Sequence, residues 1–138
     1  MAYSIARQIM DVHPTGFGLI DRKKLDATLT ALQEASQAAS VCADGCLNEG
    51  QVKDMREAIR ACLDCADIVD AAVRTLSRHA GWKESAAPAI LTAAIAVLAT
   101  ADRETARHAS MHMHARLAAE SCRRARTAAE DLLASLPG

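Results

Sequence analysis

The chain has 138 residues, of which 51% are hydrophobic, 24% are charged and 2% are aromatic, and this length predicts a single domain spanning residues 1–138. The apolar content argues against disorder, and 31 alanines against one Trp, one Tyr and one Phe favour helices over a β-sandwich or barrel. A formal net charge of -1 favours neither nucleic acid nor an anionic membrane as a partner.

Five helices are predicted in chain order. Their approximate ranges are 2–12, 21–46, 51–79, 85–108 and 110–136. The first is short and amphipathic, with Ile5, Ile9 and Val12 on one side, and Pro14 follows it in a Gly-containing linker. Ser85 is the predicted cap of the fourth. Four long helices with short connections predict an all-α, antiparallel up-down-up-down bundle, with the short helix as an addition.

The sequence carries no sign of export or of a membrane span. Its start lacks the long apolar stretch of a secretory signal. The longest uncharged run, from Ser85 to Ala101, is too short for a membrane-spanning helix, and its side chains are too small. Five cysteines are an odd number, which favours reduced thiols over a disulfide framework. We therefore expect a soluble, cytoplasmic protein.

Each long helix carries a seam of small or apolar residues at alternating steps of three and four, the spacing that keeps side chains on one face. All five cysteines fall on these seams, and they are Cys42, Cys46, Cys62, Cys65 and Cys122. The remaining seam positions are mostly alanine: Ala35, Ala39, Ala58, Val69, Ala94, Leu98, Ala101, Thr105, Ala115, Ala118, Ala125 and Ala129. This placement predicts five thiols that point into one shared channel.

The two ends of the predicted bundle differ in chemistry. One end is aliphatic, with Leu25, Leu29, Leu32, Leu76, Leu91, Leu132 and Leu136. The other end carries soft metal ligands, namely Met55, His108, Met111, His112, Met113 and His114. A bundle closed by leucines at one end and lined by soft ligands at the other predicts directional access for a soft metal.

Thiolate, thioether and imidazole together form the ligand set that suits Cu(I), although thiolate with imidazole also suits Zn(II). Counting about 1.5 Å per residue from the turns places Cys62, Cys65 and Cys122 together, about 20 Å from the His/Met end. Cys42 and Cys46 fall nearer that end. Two partial sites are therefore predicted, with the group of three cysteines as the first choice of ligands.

The His/Met end supplies further candidate residues. His108 and His112 are predicted auxiliary ligands near the mouth, at the level of the Cys42 pair. Met111, Met113 and His114 are predicted to act in admitting the metal. Five soft donors, all His or Met, fall within the seven residues 108–114, and this density distinguishes the end from an ordinary helix connection.

Two other functions fit the same residues. A free cysteine often packs as a small hydrophobe, so the chain could be a metal-free helical scaffold. Alternatively, Cys62, Cys65 and Cys122 with one further ligand could form a Zn(II) site. The sequence has no phosphate-binding glycine loop and no nucleophile elbow, which argues against the enzyme classes that use them.

Four segments of the chain resemble the cytosolic bacterial copper storage proteins. They are residues 42–47, 62–67, 107–114 and 119–123, and the likeness extends over nearly the whole chain, including the short first helix. The resemblance implies a bundle whose thiolates hold many Cu(I) ions, a copper entrance at the His/Met end and no catalysis. It also implies a homotetramer.

The departure from that family lies at the ligand positions. Where the family places cysteine at most seam positions, this chain has the Ala, Val, Leu and Thr residues given above. The other helical faces still look like the family. We therefore expect a reduced copper capacity, and our hypothesis is an engineered, cysteine-depleted variant; the alternative is a natural member that has lost capacity.

Overall fold

The computed structural model describes residues 4–13, 20–78 and 86–136, and in these ranges the chain is helical. The helices are α1 (Ile5–Val12), α2 (Arg22–Leu47), a short 3-10 helix (Val52–Met55), α3 (Arg56–Leu76), α4 (Ala86–Ala106) and α5 (Met113–Ser135). The predicted cap at Ser85 and the linker at Pro14 lie outside the described residues. The five predicted α-helices thus correspond to the five α-helices found in these described ranges.

The four long helices form a ring in which each packs against the next and α5 returns to α2. Contacts between α2 and α5 give their relative direction. The Thr28 hydroxyl lies 3.1 Å from the Ala128 carbonyl oxygen, whereas Cys42, further along α2, contacts His114 near the start of α5. These two helices therefore run antiparallel. The predicted all-α four-helix bundle is confirmed.

The short helix α1 is attached to the outside of α2. The Ser4 hydroxyl caps its first turn, and Arg22 Nη2 lies 2.8 Å from Asp11 Oδ1 across the two helices. Met10 is buried, while the predicted side with Ile5, Ile9 and Val12 is exposed. Within the part of the chain that the structure describes, Ile5, Ile9 and Val12 are therefore largely uncovered.

Leucine side chains close one end of the bundle. Those that are at most 1% exposed are Leu25, Leu29, Leu32, Leu76, Leu91 and Leu132, and Leu136 packs against them. Burying each such side chain contributes about 1.5–3 kcal/mol. The predicted aliphatic end is confirmed, and its burial supplies stability at a distance from the thiols.

Helix α4 is long and apolar enough, by length and composition, to cross a membrane. The helix is long enough because it continues past the uncharged run, which ends at Ala101, through the turn that holds Asp102. In the structure Leu91 and Leu98 are fully buried, and Asp102 Oδ1 lies 3.0 Å from Arg123 Nη2 of α5. These contacts make α4 an integral helix of the bundle.

Candidate metal centre

The five thiols are free, and all of them are at most 1% exposed. Helix α2 contributes Cys42 and Cys46, helix α3 contributes Cys62 and Cys65, and helix α5 contributes Cys122. Residues three or four apart lie on the same side of a helix, so each pair faces the bundle axis. The inward placement expected from the seams is confirmed.

The thiols form one connected row. Cys42 Sγ lies 4.0 Å from Cys46 Sγ, and the Cys42 thiol also interacts with the Cys62 thiol of the neighbouring helix. Cys62 and Cys65 lie three residues apart on the same side of α3, and Cys65 interacts in turn with Cys122. The row runs from the mouth of the bundle toward its middle.

This arrangement differs from the two separate groups expected by counting along the sequence. Residues 48–55 form the connection between α2 and α3, so α3 begins only at Arg56. Cys42 therefore lies about 8 Å from the end of α2, and Cys62 lies about 9 Å from the start of α3. The two cysteines reach the same level because the connection is longer than the predicted turn.

His114 lies at the outer end of the row. Its Nδ1 atom is 3.4 Å from Cys42 Sγ, and the ligand atoms of Cys42, Cys46 and His114 lie within 4.8 Å of one another. The imidazole packs against the backbone of α2 at Gly45, where an added Cβ would be 3.1–3.2 Å from three ring atoms. Gly45 thus provides the space that lets this ring reach the thiols.

A second group of ligand atoms lies further out. Glu49 Oε2 is 3.1 Å from His112 Nδ1, and Glu49 Oε1 is 3.4 Å from His114 Nε2. The two imidazoles are stacked, with centroids 5.5 Å apart and planes at 18°. Glu49, His112 and His114 offer ligand atoms within 4.8 Å of one another. His114 belongs to both groups through its two different nitrogens.

The surroundings of Cys42, Cys46 and Cys65 favour the protonated form of these three thiols. Interaction with Cys62, followed by burial, raises the pKa of Cys42, and burial is the main cause that raises the pKa of Cys46 to about 12. The pKa of Cys65 is raised by its interaction with Cys122 and by burial. The same interaction lowers the pKa of Cys122, against the opposing effect of burial. A metal ion entering the row must therefore displace protons.

A groove of about 320 Å³ lies between α2 and α5. Val41 and Leu117 form part of its walls, and Cys42 and His114 contribute to its lining. Because Cys42 is only 1% exposed, the groove approaches the thiol row from the side without opening it to bulk water.

Residues 21–134 match the sequence model described as "Csp: Copper storage protein". The chain belongs to the copper storage protein family. This membership supports copper binding and storage as its function, and storage is a non-enzymatic role. Among curated protein sequences, none shows significant similarity to the chain.

Solved structures of a copper storage protein, Ccsp from Streptomyces lividans, are similar to the chain. The form loaded with 10 copper equivalents is 37% identical, with a TM-score of 0.92, and the match covers 95% of this chain and 99% of that one. A Ccsp variant with one histidine replaced by alanine is 39% identical, covers 87% and 100% of the two chains and has a TM-score of 0.84.

A further structure, described as copper loading to a cytosolic copper storage protein from Streptomyces lividans with five coppers, is also 39% identical. It covers 81% of this chain and 93% of that chain, with a TM-score of 0.79. The predicted resemblance to the copper storage proteins is confirmed by these matches and by the family model.

The remaining predicted site residues lie around the mouth. Met111 is 73% exposed and Met113 is 62% exposed, whereas Met55 is buried. His108 is half-buried and lies outside both groups of ligand atoms found among the described residues. The structure brings His114, rather than His108, to the Cys42 pair.

Glu49 and Gly45 are not among the site residues predicted from the sequence. Glu49 follows Cys46 by three residues, which places it about one helical turn further toward the mouth, and this spacing was a usable signal. Gly45 carried no comparable signal, because its role depends on the approach of a ring from another helix.

Replacing Gly45 with alanine should displace the His114 ring and weaken binding of the first Cu(I) ion about 10–100-fold, the range seen when a residue that orients a ligand is lost. Alanine is favoured over glycine in a helix, so the fold should be kept. Titration against a chromophoric Cu(I) chelator measures the effect. Gly50→Ala is the matched control, because nothing lies within 4 Å of a Cβ there. Equal affinities in both variants would contradict the proposed packing role.

Proposed function

We propose that this chain stores Cu(I) in the interior of its bundle, with the five cysteine thiolates as ligands and His114 as a nitrogen ligand at the outer end. The observation that carries the proposal is the connected row from Cys46 to Cys122. Cu(I) is a soft ion that accepts thiolate and imidazole ligands, and neighbouring ions can share bridging thiolates. A continuous row therefore suits a small copper cluster better than isolated thiols would.

We further propose that the capacity is small. When each ion takes two or three thiolates and each thiolate bridges two ions, five thiolates hold about five Cu(I) ions or fewer. Seam positions such as Ala39, Ala94 and Ala118 are buried but offer no ligand. The ten copper equivalents in the Streptomyces lividans structure belong to that protein.

Anaerobic titration with Cu(I) tests this proposal. We expect saturation at about five ions or fewer per chain, and we expect all five thiols of the loaded protein to be protected from a thiol reagent. Binding of a dozen or more ions would contradict the reduced capacity. Thiols that react equally with and without Cu(I) would instead support the metal-free scaffold.

Competition between metals distinguishes the Zn(II) alternative. Because Cu(I) is softer than Zn(II), we expect Cu(I) to displace Zn(II) from the thiols and to leave Zn(II) in solution. The control is a variant with alanine at all five cysteine positions, which should bind no Cu(I) in the bundle interior. Retention of Zn(II) at Cys62, Cys65 and Cys122 in the presence of excess Cu(I) would favour the Zn(II) site.

The His/Met end is the proposed copper entrance. Exposed Met111 and Met113 would meet the ion first, with His108 and His112 as auxiliary ligands. We also propose a non-catalytic, cytosolic protein that forms a homotetramer. The Streptomyces lividans protein, which is described as cytosolic, supports the cytosolic location. The exposed apolar residues of α1 support association between chains. Light scattering on the reduced protein measures the number of chains.

A further inference from the structure

Glu49, His112 and His114 form a group of ligands without sulfur. Glu49 lies in the connection that follows α2, and the two histidines lie at the start of α5, so the group joins two elements at the mouth. The stacked imidazoles present one nitrogen each to the same carboxylate, at 3.1 and 3.4 Å. All three side chains are half-buried, which limits their freedom before any ion binds.

One buried atom of this group has no hydrogen-bond partner. His114 Nε2 is buried and makes no hydrogen bond, although it lies 3.4 Å from a carboxylate oxygen of Glu49. A buried ring nitrogen without a partner loses solvation that nothing replaces. A cation placed between the rings and the carboxylate would take the Nε2 lone pair as a ligand and be neutralised in part by Glu49.

The chemistry of the donors selects the kind of cation. Two imidazole nitrogens and one carboxylate oxygen, with a position left open, form a set that Zn(II) accepts in proteins. Cu(I) prefers sulfur and gains little from a carboxylate. The outer group therefore differs in metal preference from the neighbouring thiol row, whose Cys42 Sγ lies 3.4 Å from His114 Nδ1.

We infer that Glu49, His112 and His114 bind a divalent cation of the Zn(II) class at the mouth of the bundle, with no thiolate among its ligands. The inference goes beyond the proposed copper storage, because it concerns a different ion and adds Glu49 as a ligand. It requires only that the two rings keep the positions they have beside Glu49.

Because His114 belongs to both groups, its two occupants compete. A cation on Nε2 leaves the ring proton on Nδ1, which then donates toward Cys42 Sγ at 3.4 Å. In that state Nδ1 has no lone pair to offer to Cu(I). A divalent ion at the mouth should therefore weaken the first Cu(I) site, while the other thiols keep their ligands.

Titration with Co(II), a coloured substitute for Zn(II), tests the site. We use the reduced protein and a Cys42→Ala/Cys46→Ala variant, in which the nearest thiols are absent. We expect the variant to bind one Co(II) ion without a thiolate charge-transfer band and Zn(II) to displace that ion. Adding Glu49→Gln or His112→Ala should weaken binding at least about 10-fold. Absence of binding, or binding that neither substitution weakens, would overturn the inference.

The wild-type chain, which keeps all five cysteines, provides a second test. One equivalent of Zn(II) should weaken the first Cu(I) site of the wild-type chain at least about 10-fold, and should have little effect in the Glu49→Gln variant. An equal effect in both chains would show that Zn(II) competes at the thiols and would overturn the inference. The copper capacity of Glu49→Gln should match that of the wild type, so failure of the mouth site is distinguishable from failure of copper storage.

Discussion

Replacing Cys42 with alanine should weaken binding of the first Cu(I) ions by more than about 100-fold. Loss of a residue that merely orients a ligand costs about 10–100-fold, and Cys42 is itself the proposed ligand that contacts most others. Its thiol interacts with Cys46, Cys62 and His114. Removing it separates the outer thiol and the imidazole from the rest of the row. Competition with a chromophoric Cu(I) chelator measures the change.

Cys122→Ala is the matched control. Cys122 lies at the inner end of the row and interacts with Cys65, so its loss should lower the capacity but leave the outer ligands intact. Both variants should fold, because alanine already occupies buried positions of the same core, such as Ala39 and Ala118. If the two variants lost affinity for the first ions equally, the central position of Cys42 in the row would be disproved.

The period of the apolar residues made the bundle predictable. Steps of three and four placed every cysteine on the inward face, and the leucine end followed from side-chain size alone. Burial of the thiols could therefore be predicted without coordinates. The ranges of the helices were predicted to within several residues, since Gly and Pro mark most of the connections.

The pairing of thiols between helices could not be predicted in the same way. Depth along a bundle depends on where each helix begins, and a helix start shifted by five residues moves its side chains by about 7.5 Å. The 3-10 helix at Val52–Met55 delays α3 in this way, and Met55 caps α3 without any side-chain hydrogen bond. No local sequence signal therefore marked the start of α3, and Cys62 was placed too far from Cys42.

The close contacts of His114 could not be predicted from the sequence either. The approach of its ring to Gly45 involves residues 69 positions apart, and the Glu49 contacts join the α2–α3 connection to the start of α5. The histidines were recognisable as a cluster, but which of them faces the thiols depends on the direction in which α5 starts. His112 precedes α5, whereas His114 lies within its first turn.

Filling the row with Cu(I) should release about three or more protons per chain, and the affinity should rise with pH. The pKa values of Cys42, Cys46 and Cys65 are raised, in the case of Cys46 to about 12, so these thiols are protonated at neutral pH. Each thiolate–copper bond then displaces a proton into solution. Lowering the pH opposes that release and raising the pH assists it. The affinity for Cu(I) should therefore change by about tenfold per pH unit for each proton displaced.

Cu(I) titration in a weakly buffered solution with a pH indicator measures the protons directly. Cys46→Ala provides the comparison, since it removes one thiol whose pKa is raised mainly by burial and should release about one proton fewer. Repeating the affinity measurement between about pH 6 and pH 8 should give a steep dependence without a plateau, because that window lies below the raised thiol pKa values. Release of less than one proton per chain would mean that the thiols are already ionised before copper arrives. The buried row would then act as a set of preformed thiolates, contrary to the effect that burial has on a charged sulfur.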